Sequence, residues 1–256
     1  MQGCIEIETW YNAAMQDIPK PNTRIAKKKH SANRHLPRGL EIIYEGDDLL
    51  VVNKPAGLVT VGTATNTLRT AYHFLTDYVK KGVLKSRNRI FIVHRLDQWT
   101  SGILVFAKSE ETKFRLQDQW KDTQKKYVAI VHGQMAKKEG VITSYLAENS
   151  AYVVYSTPDA AKGKLAHTAY KVLKETRHFS LLEINLLTGR KNQIRVHLAD
   201  EGHPIVGDSK YGKKDDGQKR LALHAKSISF THPITQKQME FEAKTPTYFS
   251  TLMAAK

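Results

Sequence analysis

The stretch His94-Arg95-Leu96-Asp97-Gln98-Trp99-Thr100-Ser101-Gly102 carries the most information in this chain of 256 residues. It places the carboxylate of Asp97 between a basic dipeptide and a Thr-Ser-Gly turn, and an apolar run from Ile103 to Ala107 follows directly. Short apolar runs bounded by turn residues are typical of buried strands. The stretch therefore predicts a loop that enters a strand, with Asp97 either a salt-bridged structural residue or a reactive group.

The chain is strongly basic, with 40 Lys and Arg against 25 Asp and Glu and a net charge of +15. Residues 18–40 contain seven basic side chains and residues 78–96 contain six, and neither segment contains an acid. Because basic side chains release counterions when they neutralise a polyanion, this balance favours a nucleic-acid partner. A charge surplus that only maintains solubility is the alternative.

The length allows one large domain, or one domain with an appendage. Residues 1–38 lack a hydrophobic period and are rich in basic residues and proline, so we predict a basic N-terminal extension followed by a folded domain over residues 39–256. No apolar run approaches the roughly 20 residues that a membrane-spanning helix needs. With a single cysteine, Cys4, an intrachain disulfide is excluded. We expect a cytoplasmic protein with no membrane association.

The pattern of short apolar segments predicts many strands and few helices. This favours an α+β fold with a mainly antiparallel mixed sheet and flanking helices. The predicted elements that bear on the site are a hairpin over residues 41–53, helices over 66–81 and 190–201, a helix capped by Ser109, and a strand over 151–155.

Several familiar chemistries have no support in the sequence. It contains no phosphate-binding Gly-x-x-x-x-Gly-Lys-Ser/Thr loop, no Gly-x-Gly-x-x-Gly, no Gly-x-Ser-x-Gly elbow and no His-Glu-x-x-His pair. We therefore predict neither a metal site nor a cofactor. What remains is Asp97 and a second dense polar stretch, Leu187-Thr188-Gly189-Arg190-Lys191-Asn192-Gln193-Ile194-Arg195-Val196-His197-Leu198.

Together the two stretches resemble the RluA family of RNA pseudouridine synthases. The first is similar to the family signature His-Arg-Leu-Asp-x-x-Thr-Ser-Gly, and the second to its Thr-Gly-Arg-x-His-Gln-Ile-Arg-x-His-Leu element. The resemblance covers the chain from about Glu41 to the C-terminus. Further blocks match in family order: Asn53-Lys54-Pro55-x-Gly57, Lys126-Tyr127, Gly202-His203-Pro204-Ile205-x-Gly207-Asp208 and Leu223-His224-Ala225.

The resemblance implies the pseudouridine synthase fold over residues 39–256 and a specific reaction. A uridine in RNA has its base detached from the ribose at nitrogen 1 and rejoined through carbon 5, without metal, nucleotide or redox cofactor. It also implies that the enzyme acts on structured RNA, either large-subunit rRNA or tRNA. No obligate protein partner is evident from the sequence, and we expect a monomer.

By the same resemblance, Asp97 is the essential aspartate, Tyr127 stacks against the target base and takes part in proton transfer, and Arg195 pairs with Asp97. The residues assigned to RNA and substrate binding are His94, Arg95, Arg190 and Leu223.

Physical chemistry agrees with an essential carboxylate but leaves its role open. As the glycosidic bond breaks, the ribose becomes electron-poor, and a fixed carboxylate can attack it, stabilise it or remove a ribose proton. Each assignment has a structural alternative: Asp97 as a turn cap, Tyr127 and Leu223 as core residues, and Arg195 as a phosphate contact. Two other functions also stay open, a catalytically silent RNA-binding protein on this fold and an RNA N-glycosylase that leaves abasic sites.

The sequence departs from the family pattern at two points. Asn192 stands where the family usually has histidine, so a titratable ring is replaced by an amide. Gln98-Trp99 stands where Arg-Asp or Arg-Glu is common, which removes a charge pair and adds an aromatic surface able to stack on a base.

Overall fold

The computed structural model describes residues 36–62, 68–81, 83, 85–213 and 217–254. The basic extension predicted for residues 1–38 lies almost wholly outside these residues and stays a prediction. The first residues of the helix predicted over 66–81 also lie outside them. The strands, in chain order, are β1 (Glu41–Glu45), β2 (Leu49–Lys54), β3 (Phe91–Ile92), β4 (Ser101–Ala107), β5 (Gln124–His132), β6 (Glu139–Glu148), β7 (Val154–Thr157), β8 (Lys164–Glu175), β9 (Phe179–Leu186), β10 (Leu223–Thr231) and β11 (Gln238–Glu242). The helices are α1 (Ala71–Lys80), α2 (Glu110–Asp118), α3 (Gln193–Asp200) and α4 (Thr247–Ala254).

The chain forms two compact units. The first contains the described residues up to Thr123 together with Ala225–Lys244, and the second contains Gln124–His224 and Thr245–Lys256. Strand β10 begins in the second unit and continues in the first. Both units combine a sheet with helices, and the predicted α+β class is confirmed.

The first unit is a sheet with the strand order β1-β2-β4-β10-β11, in which β3 also pairs with β4. The predicted hairpin over residues 41–53 is confirmed, since β1 and β2 pair antiparallel around a turn at residues 46–48. Strand β4 is buried along its whole length, as its apolar run predicts. Its side chains share a core with β2, β10 and β11 that includes Val51, Val105 and Phe241.

The two described helices of this unit each begin directly after a side chain that caps the helix N-terminus. Helix α1 starts at Ala71 rather than Asn66, because the Thr70 side chain accepts a hydrogen bond from the His73 backbone N–H. The Ser109 cap is confirmed: its hydroxyl accepts from the Thr112 N–H at 3.1 Å.

The second unit is an antiparallel sheet with the order β5-β9-β8-β6-β7. Helix α3 packs against β6, β7 and β8, and Val196 joins a small core with Leu146, Val154 and Ala166. Two predicted boundaries are wrong here. Residues 190–192 form a turn before α3 begins, and the strand predicted over 151–155 starts only at Val154.

None of the helices in the described residues has the length and apolar character needed to cross a membrane.

Candidate active site

Asp97 lies in a loop between β3 and β4 of the first unit, and this loop is fixed by side chains from elsewhere in the chain. The Thr60 hydroxyl donates to the Leu96 carbonyl at 2.8 Å and accepts from the Leu96 N–H at 3.3 Å. The Thr100 N–H donates to the carbonyl of Asp97 itself, which closes a tight turn. The half-buried Asp97 is therefore held on a backbone with bonds on both sides of it.

Lys54 is the strongest anchor of this loop, and it is fully buried. Its ammonium donates to three backbone carbonyls, those of Pro55 (3.0 Å), Leu58 (2.8 Å) and Gln98 (3.1 Å). Burial lowers the pKa of Lys54 from 10.5 to about 7, and the negative charge of Asp97 acts in the opposite direction. Three donors on three acceptors match the capacity of a protonated lysine, so Lys54 fixes the backbone beside Asp97.

Replacing Lys54 with Met tests this anchor. Met fills a similar volume but leaves three carbonyls without their donor, so we expect about 2–3 kcal/mol of destabilisation. Because small displacements of a reacting group are costly, turnover should fall by about 10- to 100-fold. Urea unfolding and single-turnover rates measure the two effects. The exposed Lys121 provides the control, since Lys121→Met should change neither. Equal stability and rate for both variants would show that Lys54 is not an anchor.

Gln98 and Trp99, directly after Asp97, are exposed to solvent, and hydrogen bonds hold the backbone that carries them. The Gly57 N–H donates to the Gln98 carbonyl at 2.9 Å, and the Gln98 side-chain amide donates back to the Gly57 carbonyl at 3.2 Å. Trp99 remains 46% exposed. Its ring lies against Gly57, where an added Cβ would come within 3.3 Å of Cζ3 and where φ is +89°. Glycine at position 57 therefore leaves room for the indole close to the loop backbone.

Gly102, at the entry to β4, has a stricter requirement. Its φ is +113°, and a Cβ there would lie 2.2 Å from the carbonyl oxygen of Ala225 on β10. No other residue fits without moving backbone, which explains the glycine of the Thr-Ser-Gly turn.

His94 and Arg95, both predicted to contact RNA, differ in their surroundings. Nε2 of His94 accepts a hydrogen bond from the Val105 N–H at 3.0 Å, which places the proton of the neutral ring on Nδ1. The centroids of the His94 and Trp120 rings are 4.7 Å apart. His94 thus holds the start of the loop, whereas Arg95 is exposed and free to meet a phosphate. Their contact with RNA stays a prediction.

Arg195 lies on α3 in the second unit, where its carboxylate partner is Asp208. Nε donates to Oδ2 at 2.8 Å and Nη2 donates to Oδ1 at 2.7 Å, and both side chains are buried. Burial by itself would raise the pKa of Asp208. Hydrogen bonds and charge from Arg195, with the N–H groups of Tyr211 and Lys210, outweigh burial and lower that pKa. The sequence did not assign Asp208 a role, although it belongs to one of the matching blocks. The pairing of Arg195 with Asp97 stays a prediction.

Asn192, which departs from the family pattern, completes the surroundings of Arg195. Its amide oxygen accepts from Nη1 of Arg195 at 3.3 Å, and its amide nitrogen donates to the Tyr211 hydroxyl at 3.0 Å. The guanidinium carbon of Arg195 lies 5.1 Å from the centroid of the Tyr211 ring. Asn192 has a φ of +53°, a conformation that asparagine tolerates well. The amide thus takes over a positioning role that needs no titratable ring.

Gln193 accounts for part of the polar character of residues 187–198, because its side chain bonds to both neighbouring backbone and strand β8. The Gln193 amide links the Thr188 hydroxyl and the Arg190 N–H to β8, where it donates to the His167 carbonyl and to Thr168. Arg190 itself stays exposed, and its Nε donates to the Leu165 carbonyl at 3.2 Å.

His197 makes the stability of the second unit depend on pH. The ring is fully buried between the hydroxyls of Thr168 and Ser144, and burial lowers its pKa from 6.5 to about 4. The unfolded chain therefore binds a proton at His197 more readily than the folded chain does. The stabilisation that depends on the neutral ring is fully present above pH 6.5 and is lost as the pH falls from 6.5 towards 4. We expect this group to account for about 2–3 kcal/mol of that loss. Urea unfolding of wild type and His197→Gln at several pH values measures it, and identical acid profiles would refute it.

Tyr127 and Leu223 are both largely buried in the second unit. Tyr127 lies on β5 opposite Ile184 of β9 and is 8% exposed, and Leu223 opens β10 with 3% exposed. Asp97 belongs to the first unit, whereas Tyr127, Arg195 and Leu223 belong to the second. The structure brings His94, Arg95 and Asp97 into one loop, and Arg190 and Arg195 into one segment. The meeting of Asp97 with Tyr127 and Arg195 stays a prediction.

Among the described residues, no group of three or more His, Cys, Asp or Glu side chains is arranged to hold a metal ion. Among the residues assigned to the site, Asp97 contributes a carboxylate in the first unit, and Tyr127 and Arg195 contribute a phenol and a guanidinium in the second.

Comparison with known proteins shows the family of the chain. Residues 48–200 match the family model described as RNA pseudouridylate synthase. The chain is 36% identical to ribosomal large subunit pseudouridine synthase D of Zymomonas mobilis, over 90% of this chain and 74% of that protein. It is 37% identical to an uncharacterized RNA pseudouridine synthase of Mycoplasma genitalium, over 83% of this chain and 68% of that protein.

Among solved structures, the human RNA pseudouridylate synthase domain containing 4 superposes with a TM-score of 0.69. That match has 25% sequence identity and covers 82% of this chain and 90% of the human one. The chain therefore belongs to the RNA pseudouridylate synthase family, in its RluA branch, and is an isomerase acting on uridine in RNA.

Proposed function

We propose that this enzyme isomerises one or more uridines in large-subunit rRNA, with Asp97 as the essential carboxylate. The observation that carries the proposal is the Asp97 loop, whose backbone is fixed by Lys54 and Thr60 while Trp99 beside it remains exposed. Two relatives support the choice of RNA, since synthases C of Rickettsia typhi and D of Zymomonas mobilis are named for the ribosomal large subunit. We place the reaction in the cytoplasm and expect a monomer without an obligate partner.

In the proposed reaction, the target uridine leaves its stack, at a cost of a few kcal/mol that phosphate and base contacts offset. The bond between nitrogen 1 and the ribose breaks with Asp97 as nucleophile, base or electrostatic partner. The base turns, carbon 5 bonds to the ribose, the hydrogen on carbon 5 leaves as a proton, and nitrogen 1 takes up a proton in its place. Tyr127 lies against the base and takes part in proton transfer, and Arg195 supplies positive charge near the carboxylate.

The test uses purified protein and RNA carrying tritium at carbon 5 of uridine. Large-subunit rRNA should release tritium and yield pseudouridine, whereas tRNA should not. Binding without tritium release would favour the silent RNA-binding alternative. Strand scission at abasic sites would favour the N-glycosylase. Release from tRNA alone would overturn the choice of rRNA but not the reaction.

Trp99 provides a prediction about substrate recognition. Loss of a base-stacking surface costs about 1–3 kcal/mol, so Trp99→Ala should raise KM for RNA by about 5- to 100-fold. Turnover at saturation should stay within a few fold, because the exposed Trp99 ring lies against Gly57 and the loop backbone at Asp97 is held by Thr60 and Thr100. Trp99→Phe keeps an aromatic face, so its KM for RNA should lie between those of wild type and Trp99→Ala. An unchanged KM for Trp99→Ala, or a loss confined to kcat, would contradict a stacking role.

A further inference from the structure

We propose that the turn bearing Tyr152, with the lysines around it, is a second RNA-contact surface that holds a single-stranded segment of the substrate. The proposal rests on RNA being the substrate and assigns new residues to its binding. We call the side chains of Tyr152, Lys191 and Lys210 the Tyr152 surface.

The turn between β6 and β7 is built to hold one shape. The Asn149 side-chain oxygen accepts from the N–H groups of Ala151 (3.0 Å) and Val153 (2.9 Å). Main-chain bonds from the Tyr152 N–H to the Asn149 carbonyl, and from the Asn149 N–H to the Val153 carbonyl, close the same turn. The side chain at position 152 is therefore carried on a fixed backbone.

Tyr152 is an unusual residue for this position. Its φ is +59°, a left-handed conformation that is unfavourable for residues with a Cβ. The residue is also 73% exposed, so core packing does not explain the ring. A large aromatic side chain in a strained and exposed conformation points to use in binding.

Two cations lie against this tyrosine. Lys191 Nζ is 5.5 Å from the centroid of its ring, and Lys210 Nζ donates to its carbonyl at 2.9 Å. Glu148 pairs with Lys191 and offsets one charge. Two further exposed cations lie on neighbouring backbone. Arg190 directly precedes Lys191 in the chain. Lys164 on β8 pairs with Leu146 on β6, and Leu146 lies two residues before Glu148.

The Tyr152 surface is also joined to the predicted catalytic segment. The Tyr211 hydroxyl accepts from the Val154 N–H at 3.1 Å, just after the turn. The same tyrosine packs on Arg195 and accepts from Asn192. Bound RNA at the turn would therefore lie against the element that positions Arg195.

An exposed aromatic face flanked by flexible cations fits single-stranded RNA best. A base stacks on the ring, whatever its identity, while the ammonium groups meet the adjacent phosphates. A protein partner with an acidic surface is the competing occupant, and it would leave RNA affinity unaffected by changes here.

The test is the affinity of the full chain for a labelled oligouridylate of about 20 nucleotides, measured at several salt concentrations. Tyr152→Gly removes the ring and suits the positive φ, so the turn and the melting temperature should be kept. Affinity should fall by about 5- to 100-fold, whereas Tyr152→Phe should stay close to wild type. Phe114, an exposed aromatic on α2 with Lys113 against its ring, supplies the control. Phe114→Ala should bind as wild type.

The lysines are tested by the salt dependence of the same binding. Lys191→Gln and Lys210→Gln should each reduce the slope of log affinity against log salt by about 0.7, and the exposed Lys171→Gln should not. Unchanged affinity for Tyr152→Gly, with unchanged slopes for both lysine variants, would overturn the proposal. Tritium release by wild type is followed in parallel. Its absence would refute the proposed function while leaving the binding result interpretable.

Discussion

Asp208→Asn is expected to destabilise the second unit by about 3–5 kcal/mol, because it leaves the buried guanidinium of Arg195 without its counter-charge. Arg195 and Asp208 are 8% and 2% exposed, so water cannot replace the lost partner. Urea unfolding measures the change. Activity should fall as well, since Arg195 loses the bidentate contact that fixes its orientation.

The control is an exposed ion pair that also joins a carboxylate to an arginine, Glu111 with Arg115 at 2.7 Å on α2. Glu111→Gln should cost less than about 1 kcal/mol. A double variant, Arg195→Met with Asp208→Leu, should recover much of the stability lost in Asp208→Asn without recovering activity. A cost for Asp208→Asn as small as that for Glu111→Gln would show that the pair does not organise this part of the fold.

Asp97→Asn is expected to reduce isomerisation by at least about 10⁴-fold, the scale of losing a reacting group. The amide is nearly isosteric, and the bonds from Thr60 and Thr100 to this loop engage backbone atoms of Leu96 and Asp97, which the substitution leaves in place. RNA affinity should therefore stay within a few fold, and the melting temperature should change little. Tritium release from carbon 5, measured beside filter binding of the same RNA, separates the two effects.

An exposed carboxylate in the same unit supplies the control. Asp118, at the end of α2, is exposed, and Asp118→Asn should retain full activity. Activity of Asp97→Asn within about 10-fold of wild type would rule out every catalytic role considered for this carboxylate. Loss of RNA binding together with activity would instead make Asp97 a structural residue of the loop.

Local signals in the sequence predicted the elements that carry the site. The apolar run after Gly102 gave strand β4, the Ser109 cap gave the start of α2, and the Glu45–Asp48 turn gave the first hairpin. Each of these depends on neighbours a few residues apart, where spacing and turn chemistry are informative.

Contacts between distant segments were not predictable in this way. Lysine is almost never fully buried, so nothing in Lys54-Pro55 indicated an ammonium enclosed by three carbonyls, one of them 44 residues away. Asp208 meets Arg195 because a loop folds back on α3, and this is a property of the tertiary structure. The strand predicted from Ala151 failed because the Asn149 side chain bonds the backbone locally and competes with strand pairing.

Pseudouridine mapping of total RNA tests directly whether this chain makes pseudouridine in large-subunit rRNA through Asp97. The RNA comes from cells that lack the protein, restored with either wild type or Asp97→Asn at equal expression. We expect one or more rRNA sites that disappear without the protein, return with wild type and stay absent with Asp97→Asn. Identical maps in all the strains, or sites restored equally by Asp97→Asn, would contradict this expectation.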